Sequence, residues 1–192
     1  MRIACLLTAA GSAMRFGEDK LRLPVDGQPM GVRAVQVLSD VPFALRVLVT
    51  SEDKLYLMQA AKDRSFDVVL NPDPSRGMSS SVRLGTEHIL RSGAYDGILY
   101  AVADQPNLRA ATVMKLAEAF AAAPGCIWAP EAGGKRGNPV IFPAALFQEL
   151  TAVTGDRGGR QVIAAHPELL RTVTVDADEL KDIDTKEDMR TC

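Results

Sequence analysis

The residues able to do chemistry gather in short glycine-rich or acidic stretches. The first runs Ala9-Ala10-Gly11-Ser12 and on through Arg15 and Gly17 to Asp19-Lys20, directly after an apolar run. A glycine-containing turn that follows a strand presents backbone N–H groups, which can cradle phosphate oxygens. Arg15 adds a planar fork suited to a polyphosphate, and Lys20 adds a mobile point charge. Physical chemistry alone reads this stretch as an anion loop or as a solvated turn with scattered charge. It is neither a GxxxxGK[ST] P-loop nor a GxGxxG dinucleotide fingerprint.

Further stretches share this character: NPDPSRGMSSS from Asn71, DQP from Asp104, GGKRGNP from Gly133, GDRGGR from Gly155 and DIDT from Asp182. Asp104 and Asp184 each fit a turn or helix cap. Brought together by the fold, their carboxylates would also suit a hard cation such as Mg²⁺, which prefers oxygen ligands and phosphate. Ser79, Ser80 and Ser81 open a helical stripe. One hydroxyl suffices as a cap, so three beside a glycine exceed what capping requires. Gly133 to Pro139 reads as a charged hairpin or a binding loop, and Gly155 to Arg160 could offer N–H groups and Arg to an anion. His88 and His166 stand in no motif with Ser or Cys and read as structural or solvated. Trp128 reads as core or pocket wall.

These stretches need a scaffold. Continuous apolar runs at Ile3–Thr8, Leu45–Thr50, Asp67–Leu70 and Gly97–Ala103 predict parallel strands covered on both faces. Cys126–Ala129 and Val140–Phe142 are shorter strands, and the alternation of Arg171–Val175 suits an edge. Helical spacing marks Ala111–Ala123 and Met78–Leu90, with weaker helices near 30–38, 53–61, 144–150, 159–165 and 186–190. Alternation of this kind predicts a three-layer α/β sandwich with a mostly parallel sheet. In such sheets ligands sit beyond the carboxyl ends of the strands, which is where the unusual stretches fall.

Composition narrows the function class. The chain has 192 residues, 47% hydrophobic and 24% charged, with a net charge of −2. That suits one domain with a sizeable core and gives no basic surplus for holding a nucleic-acid backbone. No apolar stretch is long enough for a transmembrane helix. The N-terminal apolar run passes straight into a charged loop, which fits a strand better than a signal peptide. Cys5, Cys126 and Cys192 are odd in number and widely spaced, so reduced thiols and a cytoplasmic setting are expected, with no disulfide framework or zinc site.

Taken together, the blocks resemble a family. Thr8-Ala9-Ala10-Gly11 with Arg15, Gly17 and Lys20 is similar to the LAAGxSxRMGxxK loop of nucleotidyltransferases typified by the molybdenum-cofactor transferases. The resemblance continues through Asn71, Gly77 to Val82, Asp104-Gln105-Pro106, Arg136 to Val140, Gly155 to Gly158 and Asp182 to Thr185. Ser81-Val82-x-x-Gly85 also resembles an SVxxG run of other cytidylyltransferases. The branch it most resembles is the cytidylyltransferase of molybdopterin cytosine dinucleotide synthesis, with related accessory proteins of molybdenum hydroxylases.

The resemblance implies a Rossmann-like sheet of the nucleotide-diphospho-sugar transferase type. It implies one domain over 1–192, with a nucleotide part near 1–110 and an acceptor part near 111–192. The implied reaction is Mg²⁺-dependent transfer of CMP from CTP to the phosphate of molybdopterin. Lys20 and Arg15 would stabilise the triphosphate, and Asp104 and Asp184 would hold the metal. Ala9, Ala10, Gly11, Ser12, Asn71, Ser79, Ser80 and Ser81 would join Arg15 and Lys20 in contacting the nucleotide. Arg136, Asn138, Asp156 and Arg160 would face the pterin. Ala13, Phe16, Asn138 and Lys186 depart from the family pattern, Asn138 standing where His is usual. The same residues are open to GTP, to a sugar-phosphate acceptor, or to a non-catalytic role delivering finished cofactor to a molybdenum hydroxylase.

Overall fold

A computed structural model of the chain describes residues 1–11 and 19–183. The main sheet is built from β1 (Ile3–Thr8), β4 (Leu45–Thr50), β5 (Asp67–Leu70), β6 (Gly97–Val102), β7 (Ile127–Ala132), β8 (Lys135–Arg136), β9 (Val140–Pro143) and β10 (Leu170–Thr174). Its order is β10-β7-β9-β6-β1-β4-β5, with β8 paired to β7. The pairs β6–β1, β1–β4, β4–β5 and β10–β7 are parallel, whereas β9 runs antiparallel to both β6 and β7. The sheet is mostly parallel, as the apolar runs predict, with β9 and the short β8, antiparallel to β7, as exceptions. The alternating segment forms the edge strand β10.

Strand residues are buried on alternate faces, which explains why the strands read as unbroken apolar runs. Leu7, Leu48 and Leu99 join one core with Met30 and Leu38 of α1 (Met30–Ser39), Leu57 of α2 (Leu55–Lys62) and Phe120 of α4 (Ala110–Ala122). Their neighbours Leu6, Val47 and Ile98 join the other core with Val82 and Ile89 of α3 (Met78–Ser92), Leu150 of α5 (Phe147–Thr151) and Val162 of α6 (Arg160–Ala165). The result is the expected α/β/α sandwich. The fit is close: a Cβ on Gly85 of α3 would stand 2.3 Å from Leu6 Cδ1, and one on Gly97 would stand 2.6 Å from the Phe120 ring. Truncating the fully buried Phe120 to Ala should therefore cost about 3–5 kcal/mol.

β1, β4 and β5 fall where expected to the residue, and the other expected elements shift at an end by one to three residues. The hairpin of β2 (Pro24–Val25) and β3 (Gln28–Pro29) was not foreseen. Its signal was the Asp26-Gly27 dipeptide, whose φ values of 50° and 80° suit a tight primed turn. Among the described residues no helix is long and apolar enough to cross a membrane. Cys5 is buried and Cys126 half-buried, both as free thiols. Cys192 and the expected helix near 186–190 lie outside the described residues.

Candidate active site

The site begins where β1 and β6 end. Ala9 N–H donates to Val49 O at 2.8 Å, and Ala103 N–H donates to Thr8 O at 3.2 Å, so both strand ends stay in the sheet as their loops depart. Ala9 and Ala10 are buried and Gly11 is exposed. Ser12 and Arg15 lie outside the described residues. The chain returns at Asp19, which caps the 3₁₀ turn Lys20–Arg22 by accepting from Leu21 N–H at 3.1 Å.

Lys20 reaches across to the end of β6. Its ammonium donates to Asp104 Oδ2 at 2.7 Å and to Ile183 O at 3.2 Å. Ile183 N–H in turn donates to Asp104 O at 3.1 Å. Three segments distant in sequence therefore converge: the returning loop, the DQP turn and the C-terminal strap. The strap is further pinned by Glu179, buried and accepting from Arg109 N–H at 3.1 Å. Asp184 lies outside the described residues, and Ile183 before it is the residue stitched to Asp104. The Lys20 and Asp104 side chains are only 21% and 23% exposed, so their attraction is screened less than that of a surface pair.

Among the described residues the Lys20 ammonium is thus already held by hard oxygens, a carboxylate and a carbonyl. That donor set fits Mg²⁺, whose remaining positions are usually filled by water and phosphate. Among the described residues no group of three or more His, Cys, Asp or Glu forms a ready metal cage.

Beside this pair opens a cleft of about 720 Å³. Asp104, Asp182, Arg136, Asn138, Asp156 and Arg160 all line it. The structure thus brings all four residues expected on the acceptor side into one cavity with Asp104. Arg136 follows the hairpin between β7 and β8, whose turn Gly133-Gly134 has φ of 56° and 79°. Asn138 is half-buried; Arg136, Asp156 and Arg160 are exposed. Tyr100 and Phe142 form an apolar floor, their rings edge to face with centroids 5.4 Å apart. The Tyr100 hydroxyl bonds Thr86 Oγ1, and burial pushes its ionisation far up, so it stays neutral. A flat aromatic ligand with an anionic end suits such a cavity.

Asn71 and the serines lie apart from that lining. Asn71 Nδ2 donates to Ser80 Oγ at 2.8 Å and Ser81 Oγ at 3.0 Å, and its Oδ1 accepts from Asp73 N–H at 3.1 Å. Asn71, Ser79, Ser80 and Ser81 are all buried. The expectation that one serine caps α3 needs correcting. Gly77 is the cap residue and no side-chain cap bond is made; Ser80 Oγ instead donates backwards to Gly77 O at 2.8 Å. The helix begins at Met78, which leaves the serines inside its first turn. Gly77 has a second constraint: a Cβ there would stand 2.2 Å from Asp156 Oδ1, so the two glycine-rich loops pack directly together.

Sequence reasoning passed over Asp182, Lys135 and Arg157, which also line the cleft. Asp182 stood in the quoted DIDT block, and Lys135 and Arg157 flank chosen residues, so their charge was visible but their direction was not. His88 pairs with Asp67 and His166 with Glu149, both at the surface. Trp128 donates to Ala123 O at 3.2 Å and packs on the core.

The model of the MobA-like NTP transferase domain matches residues 5–170. The purine catabolism protein PucB of Bacillus subtilis (strain 168) is 29% identical over 189 residues, covering 94% of this chain and 90% of that protein. The crystal structure of Rv0371c from Mycobacterium tuberculosis H37Rv superposes with a TM-score of 0.86 at 25% identity, covering 100% of this chain and 96% of the other. CMP:2-keto-3-deoxy-manno-octonic acid synthetase complexed with CTP shares the fold at a TM-score of 0.76 and 12% identity, covering 100% and 96%.

Proposed function

The chain belongs to the MobA-like NTP transferase domain family, and we propose that within it the protein is a Mg²⁺-dependent cytidylyltransferase that transfers CMP from CTP to the phosphate of molybdopterin. The observation that carries this reading is that Asp104, paired with Lys20, lines one cleft together with Arg136, Asn138, Asp156 and Arg160. In the reaction, a phosphate oxygen of the acceptor bonds to the α-phosphorus of CTP. The bond from that phosphorus to the bridging oxygen breaks, and pyrophosphate leaves with the electron pair. No protein nucleophile is needed, so catalysis rests on alignment and charge neutralisation.

Lys20 exchanges its hold on Asp104 for triphosphate oxygens, and Arg15 grips the same group. Asp104, with Asp184, would hold Mg²⁺, which when bound neutralises charge on the phosphates and the leaving group. Arg136 and Arg160 orient the acceptor phosphate from the far side of the cleft, where in-line attack requires it. Asn138 donates and accepts hydrogen bonds to the pterin edge without taking a proton. The buried methyl of Ala10 takes space beside the base, which favours a pyrimidine over a purine. The fold is shared with an enzyme whose structure holds CTP.

A second reading is favoured by one observation: the relative PucB is named for purine catabolism. The protein would then bind finished cofactor and hand it to a molybdenum hydroxylase without catalysis. One experiment separates the two. The protein is incubated with Mg²⁺, molybdopterin and each of the four NTPs, and pyrophosphate release and product mass are recorded. Pyrophosphate and a cytidine dinucleotide product support transfer. Tight binding of finished cofactor with no pyrophosphate from any NTP supports delivery.

A further inference from the structure

We propose that Tyr56 and Lys54, at the start of α2, are positioning residues that clamp the Asp19 carboxylate and thereby hold Lys20 against Asp104. The inference rests on the nucleotidyltransferase reading for its catalytic consequence, and on geometry for the rest. Asp19 and Lys20 are neighbours at the start of a 3₁₀ turn. With about three residues per turn, adjacent side chains point in different directions. Asp19 faces α2, while Lys20 faces the end of β6.

On the α2 side, Asp19 Oδ2 accepts from the Tyr56 hydroxyl at 2.9 Å, and Oδ1 accepts from Leu21 N–H. The Arg22 guanidinium lies over the Tyr56 ring, 4.4 Å from its centroid, closing the turn from the other side. Lys54 Nζ stands 3.9 Å from Asp19 Oδ1 and is only 3% exposed. Its other contacts are Ser51 Oγ at 3.3 Å and Asp53 Oδ2 at 3.5 Å.

A buried ammonium requires a counter-charge that shares its environment. The Asp53 side chain is 69% exposed, so water screens it; that of Asp19 is 16% exposed. Asp19 is therefore the effective partner. Burial, and next the Asp19 charge, push the Tyr56 ionisation far up, so its O–H remains a donor at every working pH. Two hydrogen-bond donors, the Tyr56 hydroxyl and Leu21 N–H, and two cations, Lys54 at 3.9 Å and Arg22 at 3.8 Å, surround one carboxylate. Capping a turn of three residues needs only the bond to Leu21 N–H.

Two arms test this. Tyr56→Phe keeps the ring beneath Arg22 and deletes only the hydroxyl. Lysine acetylation at limiting reagent, read by peptide mass, should then label Lys20 several-fold faster, with Lys115 as an internal control. Unchanged labelling of Lys20 would overturn the clamp, whether or not the protein proves to be an enzyme. In the kinetic arm, Tyr56→Phe should lower kcat for CTP turnover about ten-fold while Tm holds, since small misplacement of a charged group is costly in rate. In a Lys20→Ala background the same substitution should have no further effect on kcat. A ten-fold loss that persists without Lys20 also overturns the inference, because the tyrosine would then act by another route. If Tyr56→Phe is unstable, Lys54→Met serves in both arms with the same expected outcomes. Wild-type protein that releases no pyrophosphate from any NTP counts against the catalytic reading alone; the labelling arm still decides the clamp.

Discussion

The two sides of the cleft are built on opposite plans. Near β1 and β6 the charged groups are partly buried and tied to main chain: Lys20 to Asp104 and the Ile183 carbonyl, Asp104 to Ile183 N–H. Near β7 and β9 the charged groups are exposed and follow glycine pairs, with Arg136 in β8 after Gly133-Gly134 and Arg160 opening α6 after Gly158-Gly159. Groups that must meet charge developing in a transition state gain from being fixed beforehand. Groups that only gather and orient a ligand can settle on it as it binds, and their loss is felt mainly in affinity. Under the proposed function, the difference matches chemistry on the first side and acceptor recognition on the second, and each part of that proposal can be broken.

The largest effect is expected at the fixed side. Lys20→Ala and Asp104→Asn should each reduce turnover by about 10²–10³-fold or more, because each removes charge stabilisation from the transition state. Steady-state pyrophosphate release, with circular dichroism as a fold control, checks this. A change confined to KM would make Lys20 a binding contact and erase the contrast.

Arg136→Ala should come next, raising the acceptor KM by about ten-fold, the loss of one charge-assisted contact. Arg160→Ala should follow it, with CTP affinity within a few-fold in both. Calorimetric titration of each ligand into each variant decides it, and equal loss of both ligands would show that these loops support the whole site.

A smaller effect is expected for base choice. Ala10→Gly removes one methyl, worth about 1–3 kcal/mol in discrimination, so it should narrow the preference for CTP over GTP. Wild-type protein that uses GTP faster than CTP would reverse the assignment of the base.

The smallest concerns pH at the exposed side. Hydrogen bonding to Glu149, and then the charges of Glu149 and Glu168, raise the His166 pKa above its ordinary 6.5. A raised folded pKa adds stability that is fully present below about 6.5 and fades as pH climbs through the folded value. Comparing Tm at pH 6 and pH 8, the wild type should lose slightly more than His166→Gln. Identical losses would remove His166 as the source.

Much of this was legible in the chain. Two-sided burial writes itself as continuous apolar runs, so Ile3–Thr8 and Leu45–Thr50 were placed to the residue. Polar blocks at strand ends marked where the site would be. Direction was not legible. The helix start at Met78 was read from its spacing, yet nothing in GMSSS reveals that the serines turn inward to Asn71, because a cap and a first turn share the same residue preferences. Lys54 reads as one more surface lysine until α2 and the returning loop enclose it. Asp182 and Asp184 are two residues apart, and only three-dimensional placement shows that Asp182 lines the cleft. The antiparallel run of β9 was equally silent, since an apolar strand has no polarity in its composition.

That strand has a consequence for how the molecule is made. β9 follows β7 in the chain yet lies between β6 and β7 in the sheet, so the sheet cannot be completed in the order of synthesis. β1, β4, β5 and β6 can zip together from the first half of the chain alone. Phe142, half of the aromatic floor, arrives only when β9 inserts, and β10 can join β7 only after a further stretch of chain. These pairings come last in the order of synthesis, although Gly97 and Pro143 are about as far apart in sequence as Ala4 and Leu45. During synthesis the molecule should therefore pair β1, β4, β5 and β6 first and spend an interval with the edges of β6 and β7 unpaired, the period of greatest exposure to self-association.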